Sequence, residues 1–330
     1  MKALSKGQHR WGFVCGQISV LEGRLMSYDF FMNLGSIEKP EDVLHRLQET
    51  TLREFMVPGA ETWEDWSTII DNYVHAQIYE LKKACPSPEI TDVFLLSEDY
   101  VNLKRAINGK NPLFPKNIFT ESRLAEIASA NPSLFPEVIR PAITAICNPA
   151  GVQSENPLIT DIVLDGSYLR HYLDLISQLD CPLLKDWSEL RILSKLIVVL
   201  WRALKAGHNL KMFQQYLLPI EPFNHLVGEL CSINELRSWG GVIPGIVGDI
   251  WRECLDLSED EQIPKFEQMT SDLLTNYVKH AKLQTMGPER VGAFCWGMHV
   301  EAFNLKLLIS GKLNGLPSAM LKDRIRQTYV

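Results

Sequence analysis

The chain has 330 residues, 46% of them hydrophobic and 22% charged, with a formal net charge of -7. That mix supports a large buried core and excludes disorder as the main state, while the acidic balance argues against a general nucleic-acid binder, which needs a basic face for phosphates. Apolar runs such as Leu196 to Trp201 end at a charge, here Arg202, short of the about 20 residues a membrane span needs. Met1 to Arg10 is polar and basic with no apolar stretch and cleavage site behind it, so the expectation is a cytoplasmic protein.

Helical signals run along the chain in order. Pro40, Glu41 and Asp42 suit a helix first turn, where a missing N–H costs nothing and acids meet the positive end of the dipole. Thr62 to Asp65 resembles a capping box, and Trp66, Ile69, Ile70, Tyr73, Val74 and Ile78 behind it share one helical face. Asn108 to Lys116 and Asn148 to Pro157 are rich in turn residues and read as loops. Leu190, Leu193, Ile197, Leu200, Trp201 and Leu204 form a second apolar face. Ser232 to Glu235 is a capping box by pattern. Gly240 to Gly248 reads as an inter-helix turn, with a mobile interface loop as the alternative, and Met320 to Tyr329 as an amphipathic tail. No set of alternating β-branched runs joined by hairpin turns appears, so the predicted class is all-α.

Chemistry-bearing patterns are sparse. The seven cysteines (Cys15, Cys85, Cys147, Cys181, Cys231, Cys254 and Cys295) are scattered and never in CxxC spacing, which suits reduced thiols better than a disulfide framework or a zinc site. Gly109-Lys110 and Gly311-Lys312 lack the upstream glycine and following Ser or Thr of a P-loop, and no GxSxG, HExxH or GxGxxG is present. Cys295 and His299, with Glu301 nearby, offer metal ligands on one helix face, but nothing in the sequence completes a site. Glu259-Asp260-Glu261 reads as a solvated loop. His75, His171 and His280 hold similar places and are expected to share a structural role. No catalytic residue, cofactor or metal is therefore expected.

The chain resembles itself. Asp99 to Lys110 and Glu301 to Lys312 both read acid-x-x-Asn-Leu-Lys-x-x-Ile-x-Gly-Lys without a gap. Upstream, Ile69, Ile70, Tyr73 and Val74 match Leu273, Leu274, Tyr277 and Val278 in register. A degenerate copy opens at Tyr168-Leu169-Arg170-His171 and places Leu196 to Arg202 where the Asn-Leu-Lys run belongs. The period, roughly a hundred residues, exceeds the 20–50 of solenoid repeats, so each copy is a small helical domain. Leu103 with Ile107 and Leu305 with Ile309 make i, i+4 core pairs. Gly109 and Gly311 are expected in the left-handed position that ends a helix, with Lys110 and Lys312 beside the negative helix end.

With Ser97 to Lys110 and Glu301 to Gly315 as its strongest stretches, the chain resembles the C-subunit family of the bacterial and archaeal V/A-type rotary ATPases, whose counterpart in the eukaryotic vacuolar ATPase is the d subunit. The middle copy departs from that pattern, with Leu196 in the Asn place. The resemblance implies three helical units, divided here at 1–116, 117–219 and 220–330, forming a funnel. It implies a non-catalytic connector, peripheral to the membrane, whose partners are the D/F central stalk and the membrane rotor ring. Membrane contact would then pass only through the ring. Lys306, Lys312, Lys322, Arg324 and Arg326 give the last unit a basic bias that suits acidic partner loops, or an ordinary solvated face. The expected partner-facing residues are Lys110, Arg202, Lys312, Lys322, Arg324 and Arg326. A helical adaptor unrelated to rotary ATPases is the alternative, and an all-α enzyme would need a paired-acid or metal site.

Overall fold

Helix starts follow local chemistry. Ser27 Oγ accepts from the Phe30 N–H at 3.2 Å and opens a helix at Tyr28, while Pro40 occupies the first turn of another. The capping box expected at Thr62 is present, with Asp65 N–H donating to Thr62 Oγ1 and Thr62 N–H to Asp65 Oδ2. The structure is a computed structural model and describes residues 8–115, 135, 137–146 and 157–330. Cys147, Lys116 and residues 148–156 of the expected loops, the start of the N-terminal stretch and the 116/117 boundary lie outside the described residues.

Every regular element among the described residues is helical, as expected. In chain order these are α1 (Gly12–Glu22), α2 (Tyr28–Ser36), α3 (Pro40–Leu47), α4 (Trp63–Ala84), α5 (Glu89–Ile107), α6 (Arg140–Ile146) and α7 (Pro157–Ser177). There follow α8 (Pro182–Lys205), α9 (Leu210–Leu217), α10 (Asn224–Ser232), α11 (Gly245–Leu255), α12 (Glu259–Lys279), α13 (Pro288–Leu313) and α14 (Ser318–Asp323). By contact the chain divides in two. The first unit takes in the chain through Phe94, Cys181–Trp187 and Asp260–Val330, and the second takes in Leu95–Asp180 and Ser188–Glu259.

The first unit is organised around α13. Val291 through Met298 are buried around the whole circumference, and from Val300 on one face (Glu301, Asn304, Leu305, Leu308 and Ile309) stays buried. The helix packs along α4, whose predicted face (Trp66, Ile69, Ile70, Tyr73, Val74 and Ile78) is entirely buried. Five polar side chains on α13 fasten the rest. Arg290 pairs with Glu22 at the end of α1 (2.7 Å), and Lys306 pairs with Asp71 on α4 (2.6 Å). Glu301 accepts from Met26 N–H and Tyr73 O–H, Lys312 donates to the Gly35 carbonyl of α2 (3.0 Å), and Asn304 holds the C-terminal tail. Buried polar groups of this kind persist when bonded, and these five side chains make α13 the hub of the unit.

The second unit has an aromatic centre. Trp201 on α8 meets Trp251 on α11 at 4.0 Å between ring centroids, and Trp251 stacks on Trp239 at 5.4 Å. Trp239 belongs to a 3-10 turn at Leu236–Gly241, anchored by its indole N–H on the Ile233 carbonyl (3.1 Å). Of the apolar face predicted on α8, Leu193, Ile197, Leu200 and Trp201 are buried, and Leu190 and Leu204 half-buried. Arg170 on α7 donates to the Tyr216 and Leu217 carbonyls at the end of α9, which satisfies two acceptors that a helix end leaves open.

Five local expectations are corrected. Ser232 ends α10 instead of capping a new helix, because its Oγ turns back to the Glu229 carbonyl (2.7 Å). Glu259 to Glu261 form the first turn of α12, where acids face the helix dipole favourably, and are not a loop. His75 and His171 are buried but His280 is exposed, so the three share no common role. The tail is helical only to Asp323; beyond it the chain runs without regular structure, bonded by side chains of α12 and α13. Finally, Gly109 has φ +66 and ends α5 as expected, but Gly311 lies inside α13, and the left-handed residue is Gly315 (φ +68).

Candidate partner-binding surface

The repeated motif performs one task twice. In the second unit Asn102 is buried on α5. Its Oδ1 accepts from the Leu113 and Phe114 N–H groups (2.8 and 3.0 Å), and its Nδ2 donates to the Phe114 carbonyl (2.9 Å). In the first unit Asn304 Oδ1 accepts from Arg326 N–H and Nδ2 donates to the Arg326 carbonyl, both at 2.9 Å. Each amide therefore imitates a strand partner for the chain that follows its helix. The lysine two residues on reaches a neighbouring helix: Lys104 pairs with Asp165 and Asp161 on α7 (2.9 and 3.2 Å), Lys306 with Asp71 on α4. Leu103, Ile107, Leu305 and Ile309 are buried, as their spacing predicts.

The tail is fixed by further side chains. Gln268 donates to the Asp323 and Ile325 carbonyls, Asp272 accepts from Gln327 N–H, and Tyr329 donates to Glu22. Arg326 lies over the Phe303 ring at 3.3 Å. Burial pulls its pKa down to about 10, against the opposing pull of Glu267 and Asp272.

The six predicted partner-facing cations divide by environment. Lys110 and Arg202 belong to the second unit and are exposed. Lys322 and Arg324 belong to the first unit, on and just after α14, and are half-exposed. Lys312 is 5% exposed, and its ammonium is taken by Gly35 O and Ser318 Oγ (3.0 and 2.8 Å). Its burial lowers its pKa from the usual lysine range. Lys312 is thus an internal fastener of the first unit, while Arg326 is held through its backbone and lies on the Phe303 ring. Among the described residues no three His, Cys, Asp or Glu side chains are grouped to hold a metal. Glu301, one of the candidate ligands, is instead bonded to Met26 and Tyr73.

Two surfaces in the first unit, one apolar and one mixed, escaped the sequence reading. On α1, Phe13 and Val20 are 70% and 60% exposed, and the helix carries no charge before Glu22. A groove of about 480 Å³ is lined by Leu44, Met56, Val57, Ala60 and Trp66, with Gln48 and Arg53 at its polar side. The available signal was the uncharged run Gly12 to Leu21, which has too much exposed apolar character for a helix facing only water.

A sequence profile of the ATP synthase (C/AC39) subunit family matches residues 14–324. The chain belongs to that family. The match spans both units and takes in both copies of the Asn-Leu-Lys helix. The C subunit of the V-type sodium ATPase of Enterococcus hirae is 22% identical over 328 residues, covering 93% of this chain and 95% of that one. Membership makes this an all-α member of the V-type ATPase C-subunit family, part of an ATPase complex. Among the described residues no helix is long and apolar enough to cross a membrane.

Proposed function

We propose that this chain is the non-catalytic connector of a V/A-type rotary ATPase, joining the D/F central stalk to the membrane rotor ring. Family membership across residues 14–324 carries this reading. The architecture within the first unit supports it. A part that transmits torque must not shear, and α13 ties α1, α2, α4 and the tail together by hydrogen bonds and ion pairs as well as packing. The connector makes and breaks no bond. It sits on the cytoplasmic side and reaches the membrane through the ring. Its three diverged copies, at 1–116, 117–219 and 220–330, are three variants of one helical unit.

In this reading Lys110, Arg202, Lys322 and Arg324 meet acidic surfaces of the partners, where complementary charge sets register and speeds encounter. Lys312 and Arg326 act indirectly by holding α14 and the tail in place. The test is an affinity pull-down of the tagged chain from gently solubilised membranes of its source, read by mass spectrometry. Co-recovery of head, stalk and ring subunits at fixed ratios is expected. Recovery of the chain without them, from cells that assemble such an ATPase, would overturn the proposal.

A further inference from the structure

We propose that Glu301, Tyr73 and Thr51 form a pH-responsive latch that fastens the link between α1 and α2 to α13, tight when the carboxyl is protonated and looser when it is ionised. The Glu301 side chain is 2% exposed. Its Oε2 accepts from Met26 N–H at 2.7 Å, in the turn between α1 and α2, and its Oε1 accepts from Tyr73 O–H on α4 at 2.8 Å. Tyr73 Oη in turn lies 3.1 Å from Thr51 Oγ1, where either hydroxyl can donate. One carboxyl thus joins α13, α4, the Thr51 turn and the α1–α2 link.

Among the described residues no cation pairs with it. Several charged groups on the packed elements are committed elsewhere, and Arg24 in the α1–α2 link and Arg53 on the Thr51 turn are exposed. Glu22 on α1 takes Arg290 and Tyr329, Asp71 on α4 takes Lys306, and Lys312 is bonded near the far end of α13. His75 on α4 stacks on Tyr79, and Glu54 on the Thr51 turn adds negative potential at the Tyr73 hydroxyl. An ionised Glu301 is therefore a buried charge held by two neutral donors. Burial raises its pKa to about 7, although the Met26 and Tyr73 hydrogen bonds pull it down.

Both protonation states are fully bonded, and the chain of hydroxyls reverses between them. When the carboxyl is ionised, Thr51 donates to Tyr73 and Tyr73 to Glu301. When a proton from solvent binds, Glu301 donates to Tyr73 Oη, Tyr73 donates to Thr51 Oγ1, and Met26 N–H still donates to Oε2. Only the second state avoids an uncompensated buried charge. The link it holds leads from α1, which exposes Phe13 and Val20 and is itself tied to the unit through Glu22.

Amide hydrogen exchange on the full chain tests this, with Met26 N–H as the readout after correction for intrinsic exchange. Its protection is expected to fall about tenfold between about pH 6 and about pH 8, with a midpoint near the raised carboxyl value. Glu301→Gln should remove the pH dependence, and Tyr73→Phe, which deletes a donor to the carboxylate, should move the midpoint upward. Flat protection in the wild type, or an unchanged pH response in Glu301→Gln, would overturn the latch. If Glu301→Gln does not fold, infrared difference spectra of the wild type decide. A protonated-carboxyl band lost near neutral pH and shifted upward by Tyr73→Phe supports it; absence of such a band overturns it.

Discussion

The two copies of the acid-x-x-Asn-Leu-Lys helix show what the motif conserves and what it leaves free. In α5 and α13 alike the Asn amide holds the backbone of the chain that follows, and the Lys ties the helix to an aspartate on a neighbour. The tethered chain differs. Asn102 holds Leu113 and Phe114, an exposed and a half-exposed residue 11 and 12 positions on. Asn304 reaches 22 positions to Arg326, between buried Ile325 and buried Thr328 and Tyr329. Helix length differs too, because α5 ends at Ile107, before Gly109, and α13 runs one turn further past its Asn, to Leu313, before Gly315. The letters encode a helix-to-chain clamp, and each copy chooses what it clamps.

The largest expected effects separate the units by pH. Glu301 in the first unit has its pKa raised by burial from 4.5 to about 7, so the native state keeps a proton there that the unfolded chain has lost. Stability falls as pH rises through that window, by about 3 kcal/mol in all. His171 in the second unit has its pKa lowered by burial from 6.5 to about 4, so the unfolded chain binds the proton first. Its contribution is lost as pH falls through that window, also by about 3 kcal/mol. Segment-resolved exchange should find the first unit loosening on the alkaline side and the second on the acid side. Glu301→Gln should flatten only the first response and His171→Phe only the second. A common midpoint for both units would break the comparison.

Next come the clamps. Asn304→Leu orphans the N–H and carbonyl of half-buried Arg326, among buried Ile325, Thr328 and Tyr329, and should cost about 2 kcal/mol, with the tail fraying. Asn102→Leu removes three bonds, but water reaches residues 113–115, so about 1 kcal/mol is expected. Denaturant unfolding of both variants checks the ranking, and equal losses would show that exposure of the tethered chain does not set the cost.

Much of this was legible beforehand. The α4 face and the Leu and Ile pairs of both copies follow from spacing alone, since a helix buried on one side must repeat its apolar residues. The Asn clamp was visible as a repeated letter but not as a function, because its target is irregular chain at a distance that spacing does not encode. The Glu301 environment was equally hidden, for burial of an acid depends on elements hundreds of residues away in sequence. Lysines show the same limit. Lys312 and Lys322 look alike on the page, yet one ends inside the first unit and the other at its surface.

Gly311 and Gly109 make the last and smallest test of the comparison, since identical Gly-Lys pairs suggested one role and the fold uses two. A Cβ on Gly311 would clash with Leu321 Cδ2, on a buried side chain, so Gly311→Ala should cost about 2 kcal/mol through overpacking. At Gly109 nothing lies within 4 Å of a Cβ, but φ is +66, so Gly109→Ala should cost about 1 kcal/mol through backbone strain. The remedies must then differ. Trimming the neighbour with Leu321→Ala should make Gly311→Ala milder in a double-mutant cycle. Gly109→Ala should respond to no neighbour, whereas Gly109→Asn, which tolerates the left-handed region, should recover part of the loss. Rescue of Gly311 by Asn and not by the Leu321 change would mean that its constraint is conformational after all, and that the two helices end alike.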